Sequence, residues 1–147
     1  MDRDDSVRQL YEQFPYPRPL GSLDKLVSGE HAAAWNLRSC AAIHFPDRPV
    51  PAAPAVLVAG CGTNMAPVMA ATLPQAHIVG IDVSEASLAI SADHIKEQGL
   101  SNVELHHLPI ERVAELDRDF DYIHCHGVLH HLHDPVVAKT LCFFVGG

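Results

Sequence analysis

The sequence predicts an α/β fold with a doubly wound, mainly parallel β-sheet and a helical N-terminal extension. From residue 55 onward, short apolar segments alternate with segments of helical character. The apolar segments are continuous, which is typical of strands covered on both faces of a parallel sheet. A proline-rich stretch precedes them. We therefore divide the chain into a helical extension at 1–50 and an α/β domain at 51–147.

The extension is predicted to hold two helices. After Ser6, a candidate N-cap, apolar residues recur at helical spacing and end at Pro15. This apolar stripe consists of Val7, Leu10, Tyr11 and Phe14. A second helix is predicted from about residue 29 to 43. Residues 45–54 contain four prolines and are predicted to be an extended connector, because proline lacks a backbone donor and fixes φ.

The α/β part follows the connector. Strands are predicted at 55–59, 77–82, 103–108 and 120–125, and helices at 65–73, 85–98 and 135–143, with a short helical turn at 111–116. For the helix predicted at 85–98, Ser84 is a candidate N-cap and Gly99 a candidate C′ residue. For the helix predicted at 135–143, Asp134 followed by Pro135 suits the first positions. Sheets of this kind bind ligands outside the carboxyl ends of their strands.

Composition and charge exclude several classes of function. The chain has 147 residues, 48% hydrophobic and 19% charged, which fits one globular domain. Its net charge of -8 and the lack of a basic run argue against binding free nucleic acid. No apolar stretch is long enough to span a bilayer, and the charged N-terminus is unlike a secretory signal. We expect a cytoplasmic protein with no membrane partner and reduced thiols.

A glycine turn directly follows the first predicted strand. Gly60 and Gly62 in "VLVAGCGT" lie between that strand and a helix, the context in which such glycines let a ligand approach the backbone. Cys61 and Thr63 would add amides, and the helix N-terminus a positive partial charge. The alternative is a simple strand-to-helix turn that binds nothing.

Asp82 ends the second predicted strand, about twenty residues after the turn. A carboxylate there can accept hydrogen bonds from both hydroxyls of a ribose, although Asp82 could instead only cap the next helix. A dinucleotide site usually has a third glycine where this chain has Met65. This favours a ligand with a ribose and no pyrophosphate over NAD.

Three segments together resemble the class I S-adenosylmethionine-dependent methyltransferases, which have a Rossmann-like fold. "VLVAGCGT" is similar to the first motif of that family and "VGIDVS" to the second. "FDYIHCHGVLHHLHDP" is similar to its F-D-x-I-x-x-x-x-V-L-H-H-L-x-D-P pattern. The resemblance covers residues 55–137 and implies S-adenosyl-L-methionine as the cofactor.

The resemblance also implies roles for individual residues. The backbone from Gly60 to Thr63 would cradle the amino acid end of the cofactor, and Asp82 would bind its ribose. The residues implied for the adenine are Val83, Pro109, Ile110 and Glu111. His126 and Gly127 would face the methionine part and the acceptor, and Tyr11 and Tyr16 are candidates for a lid.

The sequence also departs from the pattern of the family. Asn64 replaces a third glycine of the turn, and the acid expected just after strand three is present only as Glu111. The family core has seven strands, whereas four are predicted here. The chain is therefore either a fragment or a truncated product. In both cases the open sheet edge would favour self-association.

Methyl transfer would occur by in-line attack of an acceptor on the sulfonium methyl. A base helps only if the acceptor must lose a proton, and the candidates are His126, His130 and His131, each of which could instead serve packing. Five of the eleven histidines lie between 124 and 133, but their spacing does not specify a metal site, and we predict none.

The acceptor is not specified, and a small molecule or a protein is favoured over nucleic acid. Two other functions stay open. The chain could bind S-adenosylmethionine without catalysis, or it could be an α/β protein that binds another nucleotide such as NAD.

Overall fold

The structure is a computed structural model that describes residues 3–28, 37–44 and 46–126. In its N-terminal part the helices are α1 (Arg3–Gln13), α2 (Asp24–Ser28) and α3 (Leu37–His44). The following elements are β1 (Ala55–Ala59), α4 (Met65–Thr72), β2 (His77–Asp82), α5 (Glu85–Glu97), β3 (Val103–His107), a 3-10 helix (Ile110–Leu116) and β4 (Tyr122–Cys125).

The four described strands form one parallel sheet in the order β3-β2-β1-β4. The central strands β1 and β2 are buried along nearly their whole length, which explains why their sequences are continuously apolar. One core cluster packs α3 and α4 against one face of the sheet, including Leu37, Val56 and Met69. A second cluster packs the 3-10 helix against the other face. The predicted fold class is confirmed.

The predicted strands β1 and β2 have the bounds that the structure shows. β3 ends at His107, and β4 begins at Tyr122 rather than Phe120. Phe120 is instead buried in the core, and the Asp121 carboxylate accepts a hydrogen bond from the amide of Ala55 at 2.8 Å. The helix predicted at 135–143, with Asp134 and Pro135 at its start, lies outside the described residues.

Both predicted ends of α5 are confirmed. The Ser84 hydroxyl accepts a hydrogen bond from the amide of Ser87 at 3.1 Å, as an N-cap does. Gly99 has a φ of 61°, and the amide of Leu100 donates to the carbonyl of Ile95. This pair of features is the Schellman arrangement, which ends a helix at a left-handed residue.

The N-terminal extension differs from the prediction in three ways. α1 begins at Arg3, so Ser6 lies within the helix and its prediction as the N-cap is wrong. The predicted stripe is only half buried, since Leu10 and Phe14 are 52% and 62% exposed. The reason is that α1 rests on the end of α5 rather than on the core. α2 was not predicted.

Residues 46–54 contain no helix or strand, as their prolines predict. Within the described part of the second predicted helix, α3 covers Leu37–His44. None of the helices in the described ranges has the length and apolar character that crossing a bilayer requires. The division of the chain at residue 50 stays a prediction.

Candidate functional site

A cavity of about 630 Å³ opens at the carboxyl ends of the strands. Its walls come from the turn after β1, the end of β2, the segment after β3, the end of β4 and the inner side of α1. This is the position at which parallel α/β sheets bind ligands, and the volume is in the usual range for small-molecule sites.

The glycine turn forms the floor of the cavity. Gly60 and Gly62 have φ values of 67° and 58°, a backbone conformation that side chains other than glycine rarely adopt. The amides of Gly60 and Cys61 both donate to the carbonyl of Ile81, and the amide of Gly62 donates to Asp82. All three amides are therefore used within the protein. Because its glycines have no side chain, the turn lets a ligand in the cavity come close to its backbone.

The N-terminal segment lies directly against this turn. A Cβ atom at Gly62 would lie 2.5 Å from the carbonyl oxygen of Tyr16 and 2.9 Å from Cδ of Pro17. The hydroxyl of Thr63, a fully buried residue, donates to the carbonyl of Pro17 at 2.8 Å. Gly62 is thus required by the approach of the chain itself. The Thr63 hydroxyl holds the segment in place.

Asn64, which replaces a third glycine of the turn, does not adopt left-handed backbone. Its φ is -146°, and the left-handed residues of the turn are the two glycines. Asn64 and Met65 both line the cavity. The turn is therefore compatible with the absence of a third glycine.

Asp82 links the turn to the start of α5. One carboxylate oxygen accepts the hydrogen bond from Gly62 at 2.8 Å, and the other accepts from the amide of Ser84 at 2.9 Å. Burial raises the pKa of Asp82, and these backbone hydrogen bonds oppose the shift. A carboxylate has about four acceptor positions, and these backbone bonds do not use all of them, so acceptor capacity remains for a ligand in the cavity. Capping and ligand binding are compatible here.

His107 is a site residue that the sequence prediction missed. Its Nε2 lies 3.0 Å from the carbonyl oxygen of Val83, and its Nδ1 lies 3.2 Å from a carboxylate oxygen of Glu85. It stands beside Asp82 in the register of β2 and β3. A polar residue at the end of a strand next to that of Asp82 was the available signal.

The segment after β3 supplies another wall of the cavity. Pro109, Ile110 and Glu111 all line it, as does Val83 at the end of β2. Ile110 is buried and packs in the core beneath the wall. The residues implied for the adenine are thus brought together around one side of the cavity.

Two histidines, His124 in β4 and His126 just after it, lie on the opposite side of the cavity. The rings of His124 and His126 are stacked with centroids 6.4 Å apart, and both line the cavity. Burial lowers the pKa of His124, and the neighbouring His126 contributes. Gly127, His130 and His131 lie outside the described residues.

Two tyrosines of the N-terminal segment complete the cavity. Tyr11 and Tyr16 have ring centroids 6.4 Å apart and both line it. Burial and the charge of Asp82 raise the pKa of Tyr11. The candidate lid residues therefore lie over the glycine turn and Asp82.

The cysteine of the turn is unsuited to nucleophilic catalysis. Cys61 is 1% exposed and packs in the core, and burial raises the pKa of its thiol far above the usual range. Among the described residues, no group of three His, Cys, Asp or Glu side chains could hold a metal ion.

Residues 56–143 match the protein family described as "Methyltransferase domain". The match covers more than half of the chain and includes the glycine turn, Asp82 and β4. The chain belongs to this family. It is a class I methyltransferase domain of the S-adenosylmethionine-dependent type, as its motifs predict.

Three similar proteins place this methyltransferase domain in a wider context. An uncharacterized protein of Synechococcus sp. is 36% identical over 132 residues, covering 88% of this chain and 31% of the relative. A ubiquinone biosynthesis O-methyltransferase of Acinetobacter baumannii is 31% identical over 90 residues, covering 59% of this chain and 37% of the relative. The structure of PKMT2 from Rickettsia typhi in complex with AdoHcy is 29% identical, with a TM-score of 0.54.

The PKMT2 match covers 66% of this chain and 19% of that protein. The methyltransferase domain thus spans about a third of the length of the two curated relatives described above.

Proposed function

We propose that this methyltransferase domain binds S-adenosylmethionine in the cavity and contributes the donor site for methyl transfer to a small-molecule or protein acceptor. The observation that carries the proposal is the half-buried carboxylate of Asp82, bonded to the glycine turn and lining the cavity. The AdoHcy complex of the similar PKMT2 structure supports a donor of this type.

The residues of the cavity suit the parts of this cofactor. Asp82 has acceptor positions left for ribose hydroxyls. Val83, Pro109 and Ile110 offer an apolar wall for the adenine, and the bare backbone of Gly60 and Gly62 allows the amino acid end to lie close. We assign the backbone of Gly60, Cys61 and Gly62 to this end, with Glu111 at the edge of the adenine wall. Thr63 is buried and does not line the cavity, so its part in the site is to hold the N-terminal segment.

The mechanism requires little chemistry from side chains. When bound, S-adenosylmethionine supplies a methyl group that its sulfonium sulfur already activates. The turn and Asp82 orient the ligand, while Tyr11 and Tyr16 exclude water from one side of the cavity. His126, at the end of β4, is positioned to accept a proton at a ring nitrogen if the acceptor must lose one.

Titration calorimetry with S-adenosylhomocysteine tests this proposal. We expect the chain to bind this product, Asp82→Asn to weaken binding at least tenfold, and NAD to give no heat. Asp93→Asn is the matched control, because it removes an exposed carboxylate from α5, away from the cavity. Binding of NAD with no binding of S-adenosylhomocysteine would favour the nucleotide-binding alternative and overturn the proposal.

Two further variants separate a donor site from an enzyme. His126→Asn should lower methyl transfer by a larger factor than it lowers S-adenosylhomocysteine affinity, because an imidazole base acts only in the transfer step. Methyl transfer to a proton-bearing acceptor should then fall with a changed pH profile. A protein that binds the donor and transfers to no acceptor would correspond to the binding-only alternative.

A further inference from the structure

Glu12, on α1, contacts the first turn of α5, although the two are far apart in the sequence. One of its carboxylate oxygens accepts a hydrogen bond from the amide of Glu85 at 2.6 Å, and the other accepts from the amide of Ala86 at 3.3 Å. The first amides of a helix have no acceptor inside the helix. Glu12 therefore supplies to α5 what a local cap usually supplies.

The start of α5 shows why Glu12 matters for the cavity. The amide of Ser84 donates to Asp82, and the amide of Ser87 donates to the Ser84 hydroxyl. Glu12 takes the two amides between them. The candidate ribose ligand and a residue of the N-terminal segment thus share the same helix end. Displacement of one changes the surroundings of the other.

Polar contacts carry much of the docking of α1. Leu10 and Phe14 are mostly exposed, so the apolar side chains of α1 contribute little there. The Ser84 hydroxyl lies 3.3 Å from the carbonyl oxygen of Tyr11. Because Glu12 immediately follows Tyr11, the two contacts hold one turn of α1 against α5, with the Tyr11 ring on the cavity.

The other charged side chains near this contact, Glu85 and Arg8, lie close to partners other than the amides at the start of α5. Glu85 is in the first turn of α5, but its carboxylate lies 3.2 Å from Nδ1 of His107. Arg8 lines the same groove between α1 and α5, and its guanidinium lies 3.4 Å from Asp5. The partial positive charge of the helix end favours the carboxylate of Glu12.

We propose that Glu12 is a positioning residue for donor binding. It fastens α1 to the start of α5, which keeps Tyr11 and Tyr16 over the cavity and holds Ser84 and Asp82 in their observed arrangement. This inference rests on the proposed donor site. Glu12 does not line the cavity itself and acts through these residues.

The first arm of the test needs no ligand. Hydrogen exchange of residues 3–17 is compared in the wild type, Glu12→Ala, Glu12→Gln and the control Asp93→Asn. We expect exchange about tenfold faster in Glu12→Ala, an intermediate increase in Glu12→Gln and no change in the control, in line with the loss of a capping interaction. Unchanged exchange in Glu12→Ala would overturn the inference.

The second arm measures S-adenosylhomocysteine affinity. We expect Glu12→Ala to weaken binding roughly three- to tenfold, which is the typical worth of one cap. In a background with both Tyr11→Ala and Tyr16→Ala, the effect of Glu12→Ala on affinity should be smaller than in the wild type, since part of it passes through the position of the tyrosines. Additive effects, or loosened α1 with unchanged affinity, would contradict the positioning role.

The two arms separate the two proposals. If the wild type fails to bind S-adenosylhomocysteine, the proposed donor site fails, and the donor role of Glu12 fails with it. If the wild type binds and Glu12→Ala binds equally well, the donor site stands and only the inference on Glu12 is wrong. Glu12→Gln keeps one acceptor oxygen, so it tests the same point if the alanine variant does not fold.

Discussion

The α-carbon of Gly62 faces the carbonyl oxygen of Tyr16 at such short range that a Cβ atom would lie 2.5 Å from it. Gly62 also has a φ of 58°, so both its neighbours and its backbone exclude a side chain. The turn that follows β1 is therefore tied to the N-terminal segment as well as to the cavity. Substitution of Gly62 should therefore affect both the N-terminal segment and the cavity.

Gly62→Ala should destabilise the fold by about 2–4 kcal/mol or release the N-terminal segment, because left-handed strain and a clash of backbone with Cβ add together. Chemical denaturation and proteolysis within residues 3–20 would detect the two outcomes. Gly99→Ala has the strain without a clash, since its φ is 61° and nothing lies within 4 Å. It should cost about 1 kcal/mol.

Gly21→Ala is the second control for this experiment. Its Cβ would meet no atom within 4 Å. We expect a change within about 0.5 kcal/mol, as for most surface substitutions. Equal effects of Gly62→Ala and Gly99→Ala, with the same proteolysis pattern, would show that the contact with Tyr16 adds nothing.

Asn102 should be important for stability although it lies far from the cavity. Its Nδ2 donates to the carbonyls of Ala70, Leu73 and Ala76 at 3.0–3.1 Å, where α4 ends and β2 begins. Asn102→Ala removes the side-chain donor shared by these carbonyls, although Leu73 keeps its bond from the amide of Ala76, and we expect a loss of about 2 kcal/mol in the free energy of unfolding. Denaturant titration measures it.

Asn102→Asp should cost more than the alanine variant, because a carboxylate would face three carbonyl oxygens. Gln98→Ala is a suitable control, since its exposed side chain makes a single hydrogen bond with Asp24 at 3.3 Å. A change in Asn102→Ala no larger than that of Gln98→Ala would refute this role of the asparagine.

His124 should make the protein less stable in mild acid. Burial lowers the pKa of His124 in the folded state. As pH falls through about 6.5, the unfolded chain binds a proton at this residue that the folded chain resists, so stability is lost; above that pH the contribution is fully present. One residue contributes at most about 1.4 kcal/mol per pH unit.

His124→Gln should therefore show a smaller loss of stability between pH 7.5 and 5 than the wild type, since glutamine does not titrate. Denaturation midpoints and slopes measured across this range provide the test. Identical pH profiles for the two proteins would mean that His124 is as accessible to protons when folded as when unfolded.

Donor affinity should fall in acid through Asp82. Burial raises the pKa of Asp82, and a protonated carboxyl loses acceptor capacity toward ribose hydroxyls. Binding is therefore at full strength above the raised pKa and weakens as pH falls through it, starting at a higher pH than for an ordinary aspartate. Calorimetry with adenosine should show the same trend, because adenosine keeps the ribose.

Asp82→Asn supplies the comparison, since its residual affinity should not vary over the same pH range. A wild-type affinity that stays constant down to about pH 4, the range in which an ordinary aspartate titrates, would contradict the prediction that an Asp82 with a raised pKa binds the ribose. The measurement can be made on chain that remains folded, as far-ultraviolet circular dichroism at each pH would establish.

Much of the fold could be predicted from local patterns. β1 and β2 are continuous apolar runs, and only burial on both faces accommodates such strands. The ends of α5 followed from Ser84 and Gly99, since a cap and a left-handed residue are local chemistry. Gly60, Gly62 and Asp82 were found because the carboxyl ends of adjacent parallel strands meet at one edge.

The start of α1 could not be predicted in this way, because Ser6 is of a residue type favoured at N-caps but lies inside the helix. The apolar stripe with Leu10 was likewise only half correct. α1 packs against the start of α5, and local helix propensity does not account for such tertiary contacts.

The parallel sheet, the glycine turn and the acid after β2 were predictable, since each depends on residue type and short-range spacing. Three contacts were not predictable: the approach of Tyr16 to Gly62, the capping of α5 by Glu12, and the position of His107 between Val83 and Glu85. Glu12 and Glu85 are 73 positions apart. A contact over such a separation leaves no periodic pattern, and it exists only because folding brings the two segments together.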